Sequence, residues 1–345
     1  MVVDRGGGPR RVTIKDVAAR AGVSSGAVSL AMHDRPGVSR ATRERILAAA
    51  RELGWTPNQA AQSLSGTRLH TVGLAIARPA RMLGMEPFYM EFISGVESVL
   101  GGYGCSLLLR LLDERDEVAV QTEWWRAGRV NGSILVDLTV DDPRIPALSA
   151  IGLPAVVVGD PSLAGPFTSV WTDDAGAVTE AVRYLAALGH RRVARVGGPP
   201  TLGHSAIRAA AFTAATKELG FSGTRSVSTD FSADSGARAT RTLLVGPEAP
   251  TAIMYDNDIM AVAGLAVAAE LGLSVPADLS LLAWDDSQLC QLTRPMLSAM
   301  SHDVFRFGAE ATRCLFDVLN GRNPESHAAE TPVLVPRGST APPPH

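Results

Sequence analysis

Residues 13–32 read T-I-K-D-V-A-A-R-A-G-V-S-S-G-A-V-S-L-A-M. Ile14, Val17, Ala18 and Ala21 recur at i, i+3, i+4 and i+7, which gives one apolar helical face while Lys15, Asp16 and Arg20 point away. Thr13 marks the start, since its hydroxyl can accept from the exposed backbone N–H groups and Asp16 three residues on completes a capping box. Gly22 ends the helix, because glycine tolerates the left-handed backbone that a tight turn demands. Ser24 then caps a second helix whose Ala27, Val28 and Ala31 can pack back on the first, leaving Ser25, Gly26, Ser29 and Leu30 on the outward face. Ser39 caps a third, with Ile46, Ala50 and Leu53 at helical spacing and Gly54 closing it. Two short helices hinged at a glycine and backed by a third have the spacing of a helix-turn-helix, whose second helix suits the major groove of DNA. An ordinary α-hairpin would share the first two helices, so the rest of the chain has to decide.

Charge is segregated. Residues 1–68 hold eleven Lys and Arg against five Asp and Glu, a balance of +6, whereas the remainder holds 21 against 30, a balance of −9, which together give the chain's −3. A basic head is drawn to phosphate and an acidic body is repelled from it, which sets the end that docks. At 345 residues and 46% hydrophobic, the chain exceeds one compact domain and predicts two or three. The opening M-V-V-D-R-G-G-G-P-R-R has no apolar core and no run approaches the ~20 apolar residues of a membrane span, so neither export nor insertion is signalled and a cytoplasmic place is expected. Cys105, Cys290 and Cys314 are far apart and lack C-x-x-C spacing, so buried reduced thiols are expected, with no disulfide, metal or cofactor. The Gly-rich start, residues 1–11, and the tail A-P-P-P-H read as disordered.

From residue 71 short apolar runs alternate with amphipathic stretches. The runs T-V-G-L-A-I, C-S-L-L-L-R-L, G-S-I-L-V, A-V-V-V-G, R-V-A-R-V-G, T-A-I-M-Y and S-L-L-A-W are nearly continuous, as strands buried on both faces must be. Helical segments lie between them, which predicts an α/β body of two doubly wound parallel-sheet lobes behind an all-α head. Several polar residues follow the strands: Asn257 and Asp258 after T-A-I-M-Y, Asp285 and Asp286 after S-L-L-A-W, Asp160 after A-V-V-V-G. Each alone reads as a helix cap or loop carboxylate; their recurrence at strand ends favours a ligand cleft.

The order of the pieces T-I-K-D-V-A-A-R-A-G-V-S, V-S-R-A-T-R-E-R-I, G-W-T-P-N-Q-A-A-Q-S-L and T-V-G-L-A-I resembles the LacI/GalR family of bacterial transcription regulators over nearly the whole chain. The resemblance implies a helix-turn-helix domain at 12–56, a hinge helix at 57–68 and an effector-binding and dimerisation domain at 69–340, similar to a periplasmic sugar-binding protein. Its first lobe would span about 70–160 and 290–323, its second about 161–289 and 324–340, joined by three crossing strands. Asn58 and Ala61 would approach the minor groove and Leu64 would wedge between bases, at a few kcal/mol of unstacking offset by the contacts a kink allows; a plain linker is the other reading. Leu64→Ala is then expected to weaken operator binding and reduce bending without unfolding the body. Gel mobility of bent-site DNA checks this, and unchanged affinity and bending would remove the wedge. Thr13, Ser24, Ser29, Ser39 and Thr42 suit phosphate contacts.

For the effector, Arg208 matches the arginine that grips ligands, Asn257 and Asp285 match polar contacts, Phe231 an aromatic wall, and Phe88 and Tyr89 the first-lobe loop. His204, Asp258 and Trp284 join the same set. Carboxylates, amides and aromatic rings suit a carbohydrate, although Arg208 and His204 would equally suit a carboxylate or phosphate. Glu86 stands where an Asn is usual and Gly159 where an acid often ends the fourth strand. Leu30 replaces a frequent arginine, and Ser25 and Gly26 replace larger polar residues, so few side chains can make bidentate base contacts; Leu30 could meet a thymine methyl, and His33 could take over part of the reading. The implied function is a sequence-specific DNA-binding regulator, in the repressor sense, acting as a homodimer on double-stranded operator DNA under a small-molecule effector, with the segment from Phe92 to Leu100 in the dimer interface. The alternative is a cytoplasmic solute sensor without specific operator binding. No H-E-x-x-H or P-loop string occurs, so an enzyme is not expected.

Overall fold

A computed structural model describes residues 12–32, 35–55, 71–112, 116–246 and 248–344. The expected disordered start, His33 and the hinge with Asn58, Ala61 and Leu64 lie outside the described residues. The head, up to residue 68, and the body beyond it are separate compact units.

In the head, α1 (Ile14–Ala21), α2 (Ser25–Met32) and α3 (Arg40–Glu52) enclose Val17, Ala18, Ala21, Val28, Ile46, Ala49 and Ala50. Gly22 takes the left-handed conformation, φ 65°, and lets the chain turn from α1 into α2. Thr13 and Asp16 form the expected capping box, and the Thr13 N–H and hydroxyl both donate to Asp16 Oδ2, at 2.8 and 2.7 Å. Ser24 and Ser39 cap as expected, accepting from the N–H of Ala27 at 3.2 Å and of Thr42 at 3.3 Å.

The first lobe of the body comprises β1 (Thr71–Ile76), α4 (Ala80–Leu83), α5 (Pro87–Tyr103), β2 (Ser106–Leu111), α6 (Glu117–Arg126), β3 (Gly132–Leu135), α7 (Arg144–Ala150), β4 (Ala155–Val158), a 3₁₀ turn (Pro161–Leu163) and β5 (Thr168–Trp171). The second comprises α8 (Asp174–Ala187), β6 (Arg192–Gly197), α9 (Gly203–Glu218), β7 (Gly223–Ser228), α10 (Ala233–Leu244), β8 (Ala252–Tyr255), α11 (Asp258–Glu270), β9 (Ser280–Trp284), α12 (Gln288–Leu292) and β10 (Ser298–Ser301). The chain returns to the first lobe for α13 (Val304–Leu319) and β11 (His327–Ala328), then crosses once more to β12 (Val333–Val335). The sheet orders are β11-β5-β4-β3-β1-β2 and β12-β10-β9-β8-β6-β7, and β12 alone runs antiparallel to its neighbour. Both are doubly wound sheets with the apolar strand runs buried between helices, as the fold class predicted.

Sheet membership moves the expected lobe limits. Residues 168–171 pair with β4 and 327–328 with β5, so both belong to the first lobe, while 298–301 pair with β9 in the second. The tail is also ordered where disorder was expected. The Ala341 N–H donates to Ser280 Oγ at 3.1 Å and its carbonyl lies 3.0 Å from His190 Nε2, which holds the proline-rich end against the second lobe. The three cysteines are buried and unbridged. Among the described residues no helix is long and apolar enough to cross a membrane.

Candidate functional site

The carboxyl ends of the strands from both lobes open on one cleft. Arg78 follows β1, Asp137 follows β3, Gly159 and Asp160 follow β4, and Thr172 follows β5; opposite them, Asp256, Asn257 and Asp258 follow β8, Asp285 follows β9 and His302 follows β10. The start of α5 adds Glu86, Phe88 and Tyr89, the first turns of α9 add His204 and Arg208, and Phe231 closes one side from the loop after β7. Parallel strands collect polar groups here because the helix starts beside them offer partners for groups that would otherwise be buried unpaired.

On the first-lobe side Arg78 organises the wall. Its Nε donates to Asp137 Oδ2 at 3.0 Å and its Nη1 lies 3.5 Å from Glu86 Oε1, while the Tyr89 hydroxyl donates to the same Asp137 oxygen. Burial alone would raise the Asp137 pKa, but Arg78 and the two hydrogen bonds bring it down to about 2. Glu86 moves the other way, pushed up to about 7 by burial that Arg78 only partly offsets.

On the second-lobe side Arg208 Cζ lies over Trp284, 4.0 Å from the ring centroid, with Nε donating to Asp174 Oδ1 at 2.8 Å and Nη1 to the Asp256 carbonyl at 3.2 Å. Asp256 is itself paired in the core with Arg195 of β6, both at most 2% exposed. Asn257 is a support: its Oδ1 caps α11 by accepting from the Met260 N–H at 2.9 Å, and its Nδ2 donates to the Phe231 carbonyl at 3.0 Å. That bond holds Phe231 in the left-handed region at φ 69°, with its ring 5.9 Å from the His204 ring. Burial, and then Arg208, lower the His204 pKa, so the ring is neutral at pH 7. His302 Nε2 donates to Asp285 Oδ1 at 3.2 Å. Burial lifts Asp258 to about 7 against the hydrogen bond from Ser287.

Between the two sides the backbone is clasped: the Gly203 N–H donates to the Leu138 carbonyl at 2.7 Å and the Val140 N–H to the Thr201 carbonyl at 3.2 Å. The clasp adjoins Asp137 in one lobe and His204 in the other.

Phe88, Tyr89, His204, Arg208, Phe231, Asn257, Asp258 and Asp285, expected from the sequence, all line this cleft. Trp284 does not. It is fully buried beneath Arg208 because the alternation of β9 turns it into the core, so it orients the arginine and leaves ligand contact to others. Arg78, Asp137, Thr172, Asp174, Asp256 and His302 are among the lining residues that sequence reading passed over. In the head, Ser25, Ser29 and Leu30 of α2 are all half-buried and Gly26 is exposed, and a Cβ on Gly37 would stand 3.3 Å from Leu30 Cδ1, which places Leu30 beside the turn after α2.

The two raised carboxyls predict a pH effect. Unfolded carboxyls titrate near 4, so at intermediate pH the folded chain holds protons on Glu86 and Asp258 that the unfolded chain has lost, and stability falls as pH rises through about 7. His190 and His204, lowered by burial, act with the opposite sign below about 6.5. Asp258→Asn separates them: relative to wild type the variant should gain on the order of 2 kcal/mol between about pH 5 and about pH 8 in urea denaturation. An unchanged difference would show that Asp258 is ionised throughout.

A helix-turn-helix unit in the same chain as a two-lobed α/β body with a polar and aromatic cleft defines a ligand-responsive DNA-binding regulator. Residues 13–58 match the family model "Bacterial regulatory proteins, lacI family" and residues 182–340 match "Periplasmic binding protein-like domain". The chain is 32% identical to the HTH-type transcriptional regulator CelR of Thermobifida fusca over 92% of its own length and 94% of that protein's. Its fold is similar to that of a lac repressor dimer bound to operator and the anti-inducer ONPF, with a TM-score of 0.84 at 28% identity over 96% of this chain and 100% of that one. It is also similar to a CelR–cellobiose complex, with a TM-score of 0.73 at 30% identity over 95% and 100%. The chain belongs to the LacI family of transcriptional regulators.

Proposed function

We propose that this regulator binds a near-palindromic operator as a homodimer in the cytoplasm and that a saccharide in the body's cleft changes its operator affinity. The observation that carries the ligand class is the commitment of both cleft arginines. Arg78 is held by Asp137 and Arg208 by Asp174, so neither charge is left over for a carboxylate or phosphate. What remains is a set of acceptors, with Phe88 and Phe231 beside them, which suits hydroxyl donors and the apolar faces of a sugar. CelR, a relative of this chain, has been seen with cellobiose. The Leu138–Gly203 clasp supplies the coupling: an occupant that draws on Asp137 or His204 shifts how the lobes close.

Pairing of two copies through α5 fits its exposure. Phe92, Val96 and Leu100 are core residues, so the face available to a partner is Met90, Ser94 and Glu97. Dimer symmetry would then place two α2 helices on half-sites about one helical turn apart or a multiple of it. Thr13, Ser24, Ser29, Ser39 and Thr42 would fix register on phosphate, with sequence reading shared by Ser25, Gly26 and Leu30 of α2 and by Asn58, Ala61 and Leu64. The cleft carries out no turnover in this reading. Footprinting the full-length protein on its own upstream DNA, together with calorimetry against a panel of mono- and disaccharides, tests it. A symmetric footprint and one bound sugar are expected; protection without symmetry and no bound sugar would refute it.

A further inference from the structure

Asp258 is 2% exposed and lines the cleft, and its Oδ2 has no hydrogen-bond partner among the described residues. The Ser287 hydroxyl and the N–H groups that open α11 serve the carboxylate without bringing a charge. Its charged neighbours are acids: Asp285 and, across the cleft, Glu86. The cations nearby are already engaged. Arg208 serves Asp174, His302 serves Asp285, Arg195 serves Asp256, and Arg78 serves Asp137 first and Glu86 only at 3.5 Å. A hydroxyl could hydrogen-bond Asp258 but would leave it and Glu86 to hold protons beside Asp285 in the same cleft, whereas a cation among the three carboxyls would let them ionise. Arg78 already faces the Tyr89 and Phe231 rings, 5.9 and 5.0 Å from their centroids, so it is the carboxyls that favour a further cation.

We propose that the saccharide accepted here carries a protonated amine, seated against Asp258 Oδ2 with Glu86 and Asp285 beside it, which makes the ligand an amino sugar. This rests on the saccharide reading above and narrows it. The cationic group does the work that no protein side chain does at this corner, and the hydroxyls meet the remaining acceptors.

The test uses the full-length protein and matched ligands by calorimetry at neutral pH: glucosamine, galactosamine and deacetylated chitobiose against glucose, galactose, cellobiose and N-acetylglucosamine. At least one amine is expected to bind about tenfold or more tightly than its neutral and N-acetylated counterparts. Asp258→Asn should bring the ratio of amine to neutral affinity toward one. Glu86→Gln, on a different element, should reduce the same ratio and serves if the first variant folds poorly. Neutral sugars binding as well as amines, with the ratio unmoved in both variants, would overturn the amine while leaving the saccharide reading in place. Binding by neither set would overturn both.

Discussion

Replacing Arg208 by alanine is expected to raise the effector's dissociation constant by about 10²-fold or more and to leave operator binding insensitive to it. Three groups hold that guanidinium: Asp174 at 2.8 Å, the Asp256 carbonyl at 3.2 Å and the Trp284 face at 4.0 Å. Its position is therefore set before any ligand arrives, and little ordering remains to be done on binding. Truncating one partner of a buried, hydrogen-bonded charge pair costs about 2–5 kcal/mol, much of it from the partner left behind, here the Asp174 carboxylate. Arg208→Lys keeps the charge but loses the planar group and the donor fork, so it should fall between wild type and alanine. Calorimetry reads the affinity, and operator binding without effector should be unchanged in both variants. An Arg208→Ala protein that still responds to effector at wild-type concentrations would remove the arginine from the ligand's contacts.

Gly95→Ala is expected to destabilise the body by about 3 kcal/mol, a fall in Tm of roughly 6–10 °C. On α5, a Cβ at Gly95 would stand 1.9 Å from the Phe305 carbonyl oxygen of α13, and one at Gly308 on α13 would stand 2.2 Å from the Phe92 carbonyl oxygen. The two helices touch backbone to backbone at these points, so no side chain can move aside and the helices themselves must separate. Separation would open the packing of Phe92, Val96, Phe307 and Leu315 against the first sheet. Gly101→Ala is the control on the same helix, where a Cβ meets nothing within 4 Å. Higher helix propensity should make that change neutral or stabilising by about 0.5–1 kcal/mol. Equal effects from the two substitutions would show that α5 and α13 do not pack as described.

The head was legible because its evidence is local: period, caps and a turn glycine within twenty residues. Continuous apolar runs gave away most inner strands, such as T-V-G-L-A-I and A-I-M-Y. Two of the missed strands lack that signal. β7, G-T-R-S-V-S, is an edge strand that alternates between half-buried and exposed, and β10, S-A-M-S, is short, with serines at both ends. Missing β5 and β10 displaced the lobe limits and hid Thr172 and His302, which sit just beyond them. Arg78 and Asp137 follow strands that were recognised, yet each reads alone as a solvated loop charge; only their meeting at 3.0 Å, 59 residues apart, makes them a wall. Asn257 was found for its position, but its role in holding Phe231 and α11 needed coordinates. The protonation of Asp258 and Glu86 depends on burial and on neighbours drawn from both lobes, which no local pattern encodes.

The coupling between the two ligands is the central claim, and linkage allows it to be measured from both ends. Operator affinity is determined at one fixed salt concentration with and without saturating effector, and effector affinity with and without saturating operator. The account predicts a symmetric site whose affinity the effector changes, and the same factor, typically 5- to 150-fold, in the reciprocal measurement. Salt-sensitive binding to any DNA, with an effector affinity indifferent to operator, would contradict it.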